Sequence, residues 1–202
     1  MRKLPTQFYD RINVVSIAEE LIGKILVTRF DGIITSGRIV ETEAYIGLAD
    51  RASHSFAGKR TQRNEHMYAG AGTAYVYICY GVHHLFNVIT NKKNIPDAVL
   101  IRSLEPITGI PVMLARTRKQ QLDYSLTKGP GNAARALGIS KDQSGINLLS
   151  DEIFIADDQF TILNNAIGKS KRIGIENTAD AVLKPYRFYL KGNKYVSGYP
   201  NK

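Results

Sequence analysis

"KILVTRFDGIITSGRIVETEAYIG", residues 24–47, is the stretch whose reading decides the fold. Two runs rich in apolar and β-branched residues, 24–30 and 32–47, meet at Asp31-Gly32, a dipeptide suited to the left-handed backbone of a tight hairpin turn. The second run is long and carries two acids. Strand side chains alternate between faces, so Glu41, Glu43 and Tyr45 are expected to line one side. Their neighbours Ile39, Val40, Ala44 and Ile46 are apolar, which places at least part of this strand, and its carboxylates with it, in the core.

Working outward, "NVVSIAEELIGK" (13–24) predicts a short helix, with Asn13 as N-cap, apolar positions at 14, 17, 18, 21 and 22, and Gly23 as stop. Residues 48–73 are polar, Gly-rich and basic and read as a functional loop with at most one helical turn. "TAYVYICYGVHHLFNVIT" (73–90) is strand-like and broken at Gly81, and "DAVLIRSLEP" (97–106) predicts another strand. "PVMLARTRKQ" (111–120) and "GNAARALGI" (131–139) predict helices, the first opening on Pro111, the second closed by Gly138. Short strands are expected again in "EIFIAD" (152–157), "FTIL" (160–163), "KRIGI" (171–175) and "YRFYLKG" (186–192). Strands on both sides of a helical segment define an α/β chain of the α+β type. The expectation is a single mixed domain over residues 1–202, with a largely antiparallel, curved sheet flanked by helices.

Composition narrows the function. The chain has 202 residues, 44% of them hydrophobic, enough for a real core. Twenty-seven Lys and Arg against eighteen acids give a net charge of +9. That excess fits a polyanionic partner or a solvated basic surface. No apolar stretch is long enough to span a membrane, and "MRKLPTQFYD" has no apolar run behind its basic residues, so no signal peptide is expected. A single cysteine, Cys79, fits a reducing cytosol and excludes multi-cysteine zinc sites. His54, His66, His83 and His84 lack the spacing of a metal motif. No Gly-rich phosphate loop follows a strand, so no nucleotide cofactor is expected.

Two features point to chemistry. Tyr75 and Tyr77 share a strand face and Tyr80 ends the strand beside Gly81; such tyrosines pack cores, and in a basic protein they also stack bases. Glu41 and Glu43 have Cα atoms roughly 6.5–7 Å apart along the strand. That suits acid/base work on a glycosidic bond, one working acid beside one ion-paired acid, or a solvated strand edge.

Read together, "GRIVETEAYIG", "DRASHS", "RTQRNEHMY", "GTAYVYICYGVHHLFNVIT", "TKGPGNAARALGI", "RIGIENTAD" and "KPYRFYLKG" resemble, in order, the blocks of the alkyladenine (3-methyladenine) DNA glycosylases, across residues 4–198. The resemblance implies a monofunctional enzyme that flips alkylated or deaminated purines out of double-stranded DNA and hydrolyses the N-glycosidic bond. It implies no cofactor and no metal. It assigns water activation to Glu43 and holding of that water to Arg102. Tyr45, His54 and Tyr77 would enclose the base, Asn87 would reject normal guanine, and the backbone at Ile173 would touch water or base. Tyr80 would wedge into the duplex. Lys59, Arg60, Arg63, Arg116, Arg118, Lys119 and Lys128 are candidates for phosphate contacts, and Gly131, in the Lys128–Gly131 turn ahead of a helix, for backbone N–H contacts. The chain departs from the family pattern at Gln62 and in "AGAGT" (69–73), both placed in a loop expected to face DNA. A cytosolic monomer is expected. The competing readings are a non-catalytic nucleic-acid-binding module and a hydrolase acting on a nucleoside or sugar ligand.

Overall fold

At the Asp31-Gly32 turn both residues take positive φ, 52° and 76°, the conformation that joins two strands without splaying them. In the computed structural model of the chain, which describes residues 1–163 and 165–198, this turn links β2 (Ile25–Phe30) to β3 (Ile33–Tyr45). Ahead of it lie β1 (Arg2–Lys3), α1 (Thr6–Tyr9) and α2 (Val14–Glu20). Asn13 caps α2 by accepting the Ser16 N–H at 3.1 Å, and Val14, Ile17 and Ala18 are its buried side. The chain continues through β4 (Ala74–Cys79), β5 (His83–Thr90), β6 (Asp97–Thr108), α3 (Ile110–Thr117) and α4 (Pro130–Leu137). It closes with β7 (Ile153–Asp157), β8 (Ile167–Ser170) and β9 (Arg187–Leu190).

All described strands join one antiparallel sheet in the order β1-β7-β2-β3-β6-β5-β4, with β9 and β8 branching from β3. The branch follows from the length of β3. Its residues 33–38 pair with β2, and further along the same edge Glu41–Glu43 pair with β9, while β6 occupies the other edge. The β3–β6 ladder shifts register where it pairs Ile39 with Leu104, Glu41 with Ser103 and Thr42 with Ile101, leaving Val40 and Arg102 without opposite numbers. Such bulges re-aim a side chain locally, and here the one re-aimed is Arg102.

The sheet sorts its residues by face. Ala44, Ala74, Val76, Phe86, Val88, Val99 and Ile101 face the main core, each large one worth about 1.5–3 kcal/mol once buried. Helix α4 packs over β5 and β6, and its buried Ala133, Ala134 and Ala136 let it approach closely. Across the sheet the alternate residues Tyr45, Tyr75, Tyr77, Leu85, Asn87, Ala98 and Leu100 line a cavity instead.

Three expectations need correcting. "FTIL" forms no strand: Phe160 lies under the Arg38 guanidinium at 4.0 Å and Leu163 is exposed, so side-chain packing rather than sheet pairing holds this segment. "KRIGI" forms none either, because the Ile173 N–H is given to the Glu43 carboxylate and the strand there, β8, ends at Ser170. The "AGAGT" segment does not face outward as a loop. Gly70 and Gly72 are buried, and Gly72 exchanges backbone hydrogen bonds with Ile89 and Leu148.

Candidate active site

Although the ladder with β6 shifts register at Glu41, the two glutamates and Tyr45 do share a face: Arg102 reaches both carboxylates, Tyr45 bonds to Glu43, and both glutamates are fully buried. Glu41 is held by five donors. Arg102 Nε (2.9 Å) and Arg187 Nε (2.7 Å) donate to Oε1, as does the Ser197 hydroxyl (2.8 Å), while Ser103 Oγ (2.6 Å) and the Ser197 N–H (2.8 Å) donate to Oε2. Burial alone would raise its pKa; Arg102 and Arg187, with the hydrogen bonds from Ser103 and Ser197, outweigh burial and hold the carboxyl below its ordinary value. Ser103 Oγ in turn accepts the Gly129 N–H at 2.9 Å, tying this cluster to the start of α4.

Glu43 sits one turn of the pleat further on. The Ile173 N–H donates to Oε1 at 2.8 Å, Arg102 Nη1 lies 3.2 Å from the same oxygen, and the Tyr45 hydroxyl donates to Oε2 at 2.8 Å. Two hydrogen bonds, one to each oxygen, with the Arg102 ion pair beside Oε1, leave one of the carboxylate's roughly four lone-pair directions uncommitted on Oε2. Burial and the neighbouring Glu43 both push the Tyr45 pKa well above its ordinary value, which keeps the hydroxyl protonated as a donor. For Arg102 burial works against the charge, but Glu43 and Glu41 outweigh it and the guanidinium stays charged.

The cavity beside these groups measures about 550 Å³, within the range of small-ligand pockets. Tyr45, His54, Tyr77, Asn87, Arg102 and Ile173, all expected from the sequence to serve one site, line it together. Glu43 does not; its partners Tyr45, Arg102 and Ile173 line the space in its place. His54 meets the Tyr77 ring edge-on at 4.5 Å, and its Nδ1 lies 2.9 Å from the Tyr75 hydroxyl. Burial, then Arg63 and Lys59, lower His54 to about 4, so the ring is neutral near pH 7. Tyr75 is pushed up to about 12 by burial. Asn87 donates both amide protons to carbonyls, of Tyr75 (3.1 Å) and Leu85 (3.2 Å), which fixes its amide plane.

Tyr80 stands at the tip of the β4–β5 hairpin, 89% exposed and at φ 50°. A tyrosine held in left-handed backbone with no packing to offset the strain is a feature of working sites. The start of α4 lies against this hairpin: a Cβ on Gly131 would come within 2.9 Å of the His83 ring. A second cavity, about 520 Å³, shares Ser53, His54 and Arg63 with the first and adds Arg51, Phe56, Lys59, Thr61 and Asn64. No carboxylate lines it. Arg63 donates to the Ile78 carbonyl at 3.1 Å.

The remaining candidate cations have partners within the chain. Arg60 is paired with Glu65 and lies over the Tyr68 ring at 4.5 Å. Arg116 donates to Thr35 Oγ1 (3.1 Å) and the Ala136 carbonyl (3.2 Å). Lys119 reaches Ser125 and Asp123, and Lys128 reaches the Lys194 carbonyl at 3.3 Å. Arg118 caps α3 in left-handed backbone.

Sequence reasoning missed Arg187 and Ser197, which hold Glu41, and the buried Asp50–Arg172 pair behind Tyr45. The available signal was the acid pair itself: two carboxylates in a core strand require buried cations, and arginines interrupt the strand-like "KRIGI" and "YRFYL". Among the described residues no three His, Cys, Asp or Glu side chains are placed to share a metal ion, and no helix is long and apolar enough to cross a membrane.

The site is therefore an aromatic cavity with a carboxylate shielded behind its wall and the basic residues Lys59 and Arg63 close by. Similarity to known proteins names the family. The model of the methylpurine-DNA glycosylase family matches residues 7–194. A protein of Clostridium perfringens strain 13 named "Putative 3-methyladenine DNA glycosylase" is 43% identical, over 96% of this chain and 98% of its own length. Proteins with the same name from Desulfitobacterium hafniense (44%, over 98% and 99%) and Bacillus cytotoxicus (42%, over 96% and 99%) are similar over the same span. The chain belongs to the methylpurine-DNA glycosylase family and is a DNA N-glycosylase, a hydrolase of N-glycosyl bonds that acts in DNA repair.

Proposed function

We propose that this chain, one domain working as a cytosolic monomer, excises alkylated or deaminated purines from double-stranded DNA. The purines in question are 3-methyladenine, 7-methylguanine, hypoxanthine and ethenoadenine; water hydrolyses the N-glycosidic bond and an abasic site remains. The observation that carries this reading is the fixed, buried Glu43 carboxylate directly behind the wall formed by Tyr45, Arg102 and Ile173.

The damaged nucleotide is turned out of the helix into the larger cavity, at a cost of a few kcal/mol that is least for bases already paired poorly. Tyr80 fills the gap in the duplex, as apolar wedges do from the minor groove. The purine lies against Tyr45 and Tyr77, whose faces attract an electron-poor or cationic ring. The neutral His54 adds no repulsion to such a base. Asn87, its amide plane fixed, crowds the exocyclic amine of normal guanine. The free lone-pair direction on Glu43 Oε2 takes the attacking water and its proton, and Arg102 holds that water. Since Glu43 has no open surface, the Tyr45 hydroxyl must yield as water reaches Oε2. The carboxylate also stabilises the positive charge that grows on the sugar as the bond to the base breaks. Lys59, Arg63 and Lys128, with the N–H groups at Gly131, hold phosphates and set the register on DNA.

A panel of duplexes, each with one defined lesion, incubated with the protein and then cleaved with alkali at abasic sites, tests the reading. Strand breaks at the lesion without added metal are expected. Intact strands throughout the panel would refute it.

A further inference from the structure

Behind the cavity wall lies a buried ion pair with no part in the chemistry described above. Arg172 makes a two-pronged contact with Asp50: Nη2 donates to Oδ1 at 2.9 Å and Nη1 to Oδ2. Nη1 also donates to the carbonyl of Ala44, the residue between Glu43 and Tyr45, at 2.8 Å, and Nη2 to the Ala181 carbonyl at 3.3 Å. The guanidinium carbon lies 4.5 Å from the centre of the Tyr45 ring and 5.5 Å from that of Tyr186. Its chain neighbour Ile173 gives its N–H to Glu43. Asp50 is equally placed: its N–H bonds to the Ile46 carbonyl at 2.8 Å, its Oδ1 accepts the Ala52 N–H at 3.0 Å, and its carbonyl accepts the Ser53 N–H at 2.8 Å. One pair therefore joins three separate segments, and each supplies a wall of the cavity: Tyr45 from β3, Ala52–His54, and Ile173–Ile175.

We infer that Arg172 and Asp50 are positioning residues that set the orientation of Glu43 through its two hydrogen-bond donors, the Ile173 N–H and the Tyr45 hydroxyl. The requirement is for a planar fork. Lysine would keep the charge, but it cannot bind Asp50 through two parallel bonds and stack on Tyr45 while reaching the Ala44 carbonyl. A displacement of even 1 Å in a catalytic group costs about 10²-fold in rate, so the effect should fall on the chemical step rather than on DNA affinity.

This inference rests on the glycosylase reading for its kinetic consequence, and one of its two measurements is independent of activity. Arg172→Met alone would leave Asp50 buried without a partner and endanger the fold, so the informative variants are Arg172→Lys and the double variant Asp50→Asn/Arg172→Met. Amide hydrogen exchange is read at Ile173 and at the β6 residues Val99 and Ile101. Single-turnover excision and binding are measured on one lesion duplex. The expected result is faster exchange at Ile173 with unchanged Val99 and Ile101, together with an excision rate lower by about 10²-fold at unchanged duplex affinity. Unchanged exchange at Ile173, or faster exchange with an unchanged excision rate, would overturn it. So would faster exchange spread equally through β6, which marks a general loss of stability. Wild-type protein that releases no base would sink the glycosylase reading, and the exchange at Ile173 would still decide whether Arg172 holds that segment against Glu43.

Discussion

At the scale of single residues, His54 and Tyr80 make the sharpest demands. His54 is lowered from 6.5 to about 4 by burial and by Arg63 and Lys59. Between those values the unfolded chain holds a proton that the folded chain refuses, so stability is complete above pH 6.5 and falls as the pH drops towards 4. Urea midpoints measured from pH 7.5 to 4.5 should show that fall, and His54→Gln should flatten it; parallel curves would contradict the assignment. Tyr80 makes a different demand. With 89% of its surface exposed it contributes little to folding, so Tyr80→Ala should leave the melting temperature unchanged and slow excision from duplex DNA. A variant as fast as wild type would remove the wedge from the account. Strand alternation reaches only local sets such as Glu41, Glu43 and Tyr45; it is the family resemblance that assigns Tyr45, His54, Tyr77, Asn87 and Arg102 to one site, and all five do line one cavity.

At the scale of elements, the long strand β3 carries the argument. Alternation along 41–45 predicts a shared face, and β3 keeps it, pairing with β9 over Glu41–Glu43 and continuing to Tyr45. What alternation could not tell is which remote segment answers the buried charge. Glu41 finds Arg102, 61 residues away, and Arg187, 146 away; a two-residue period holds no information about such partners. The same limit misread "KRIGI", whose β-branched residues favour a strand while its backbone serves a carboxylate. Removing Glu41 takes the shared carboxylate from two buried guanidinium groups, Arg102 keeping Glu43 and Arg187 the Ser170 hydroxyl, a loss of about 3–5 kcal/mol by analogy with other buried pairs. Chemical denaturation of Glu41→Ala should report a loss of that order, and a change within experimental error would show that the cluster is not structural. Glu41 also sets an acid limit. With its folded pKa below the ordinary 4.5, its contribution is complete above 4.5 and is lost as the pH falls through the lowered value.

At the scale of the whole molecule, a net charge of +9 surrounds a carboxylate that no solvent touches. In the proposed reading the two belong to one design: the cations concentrate and orient the polyanion, and the buried acid serves the extruded nucleotide. If Lys59 and Arg63 meet phosphates, replacing either by Ala should reduce the slope of log affinity against log salt by about 0.9, and an unchanged slope would remove that residue from the interface. The central claim, that Glu43 performs the hydrolysis, is tested most directly by single-turnover excision from a lesion duplex with wild type and Glu43→Gln, the abasic product being revealed by alkali. The account predicts that the variant binds the duplex as tightly as wild type and cleaves several orders of magnitude more slowly. Equal rates for the two proteins would contradict it.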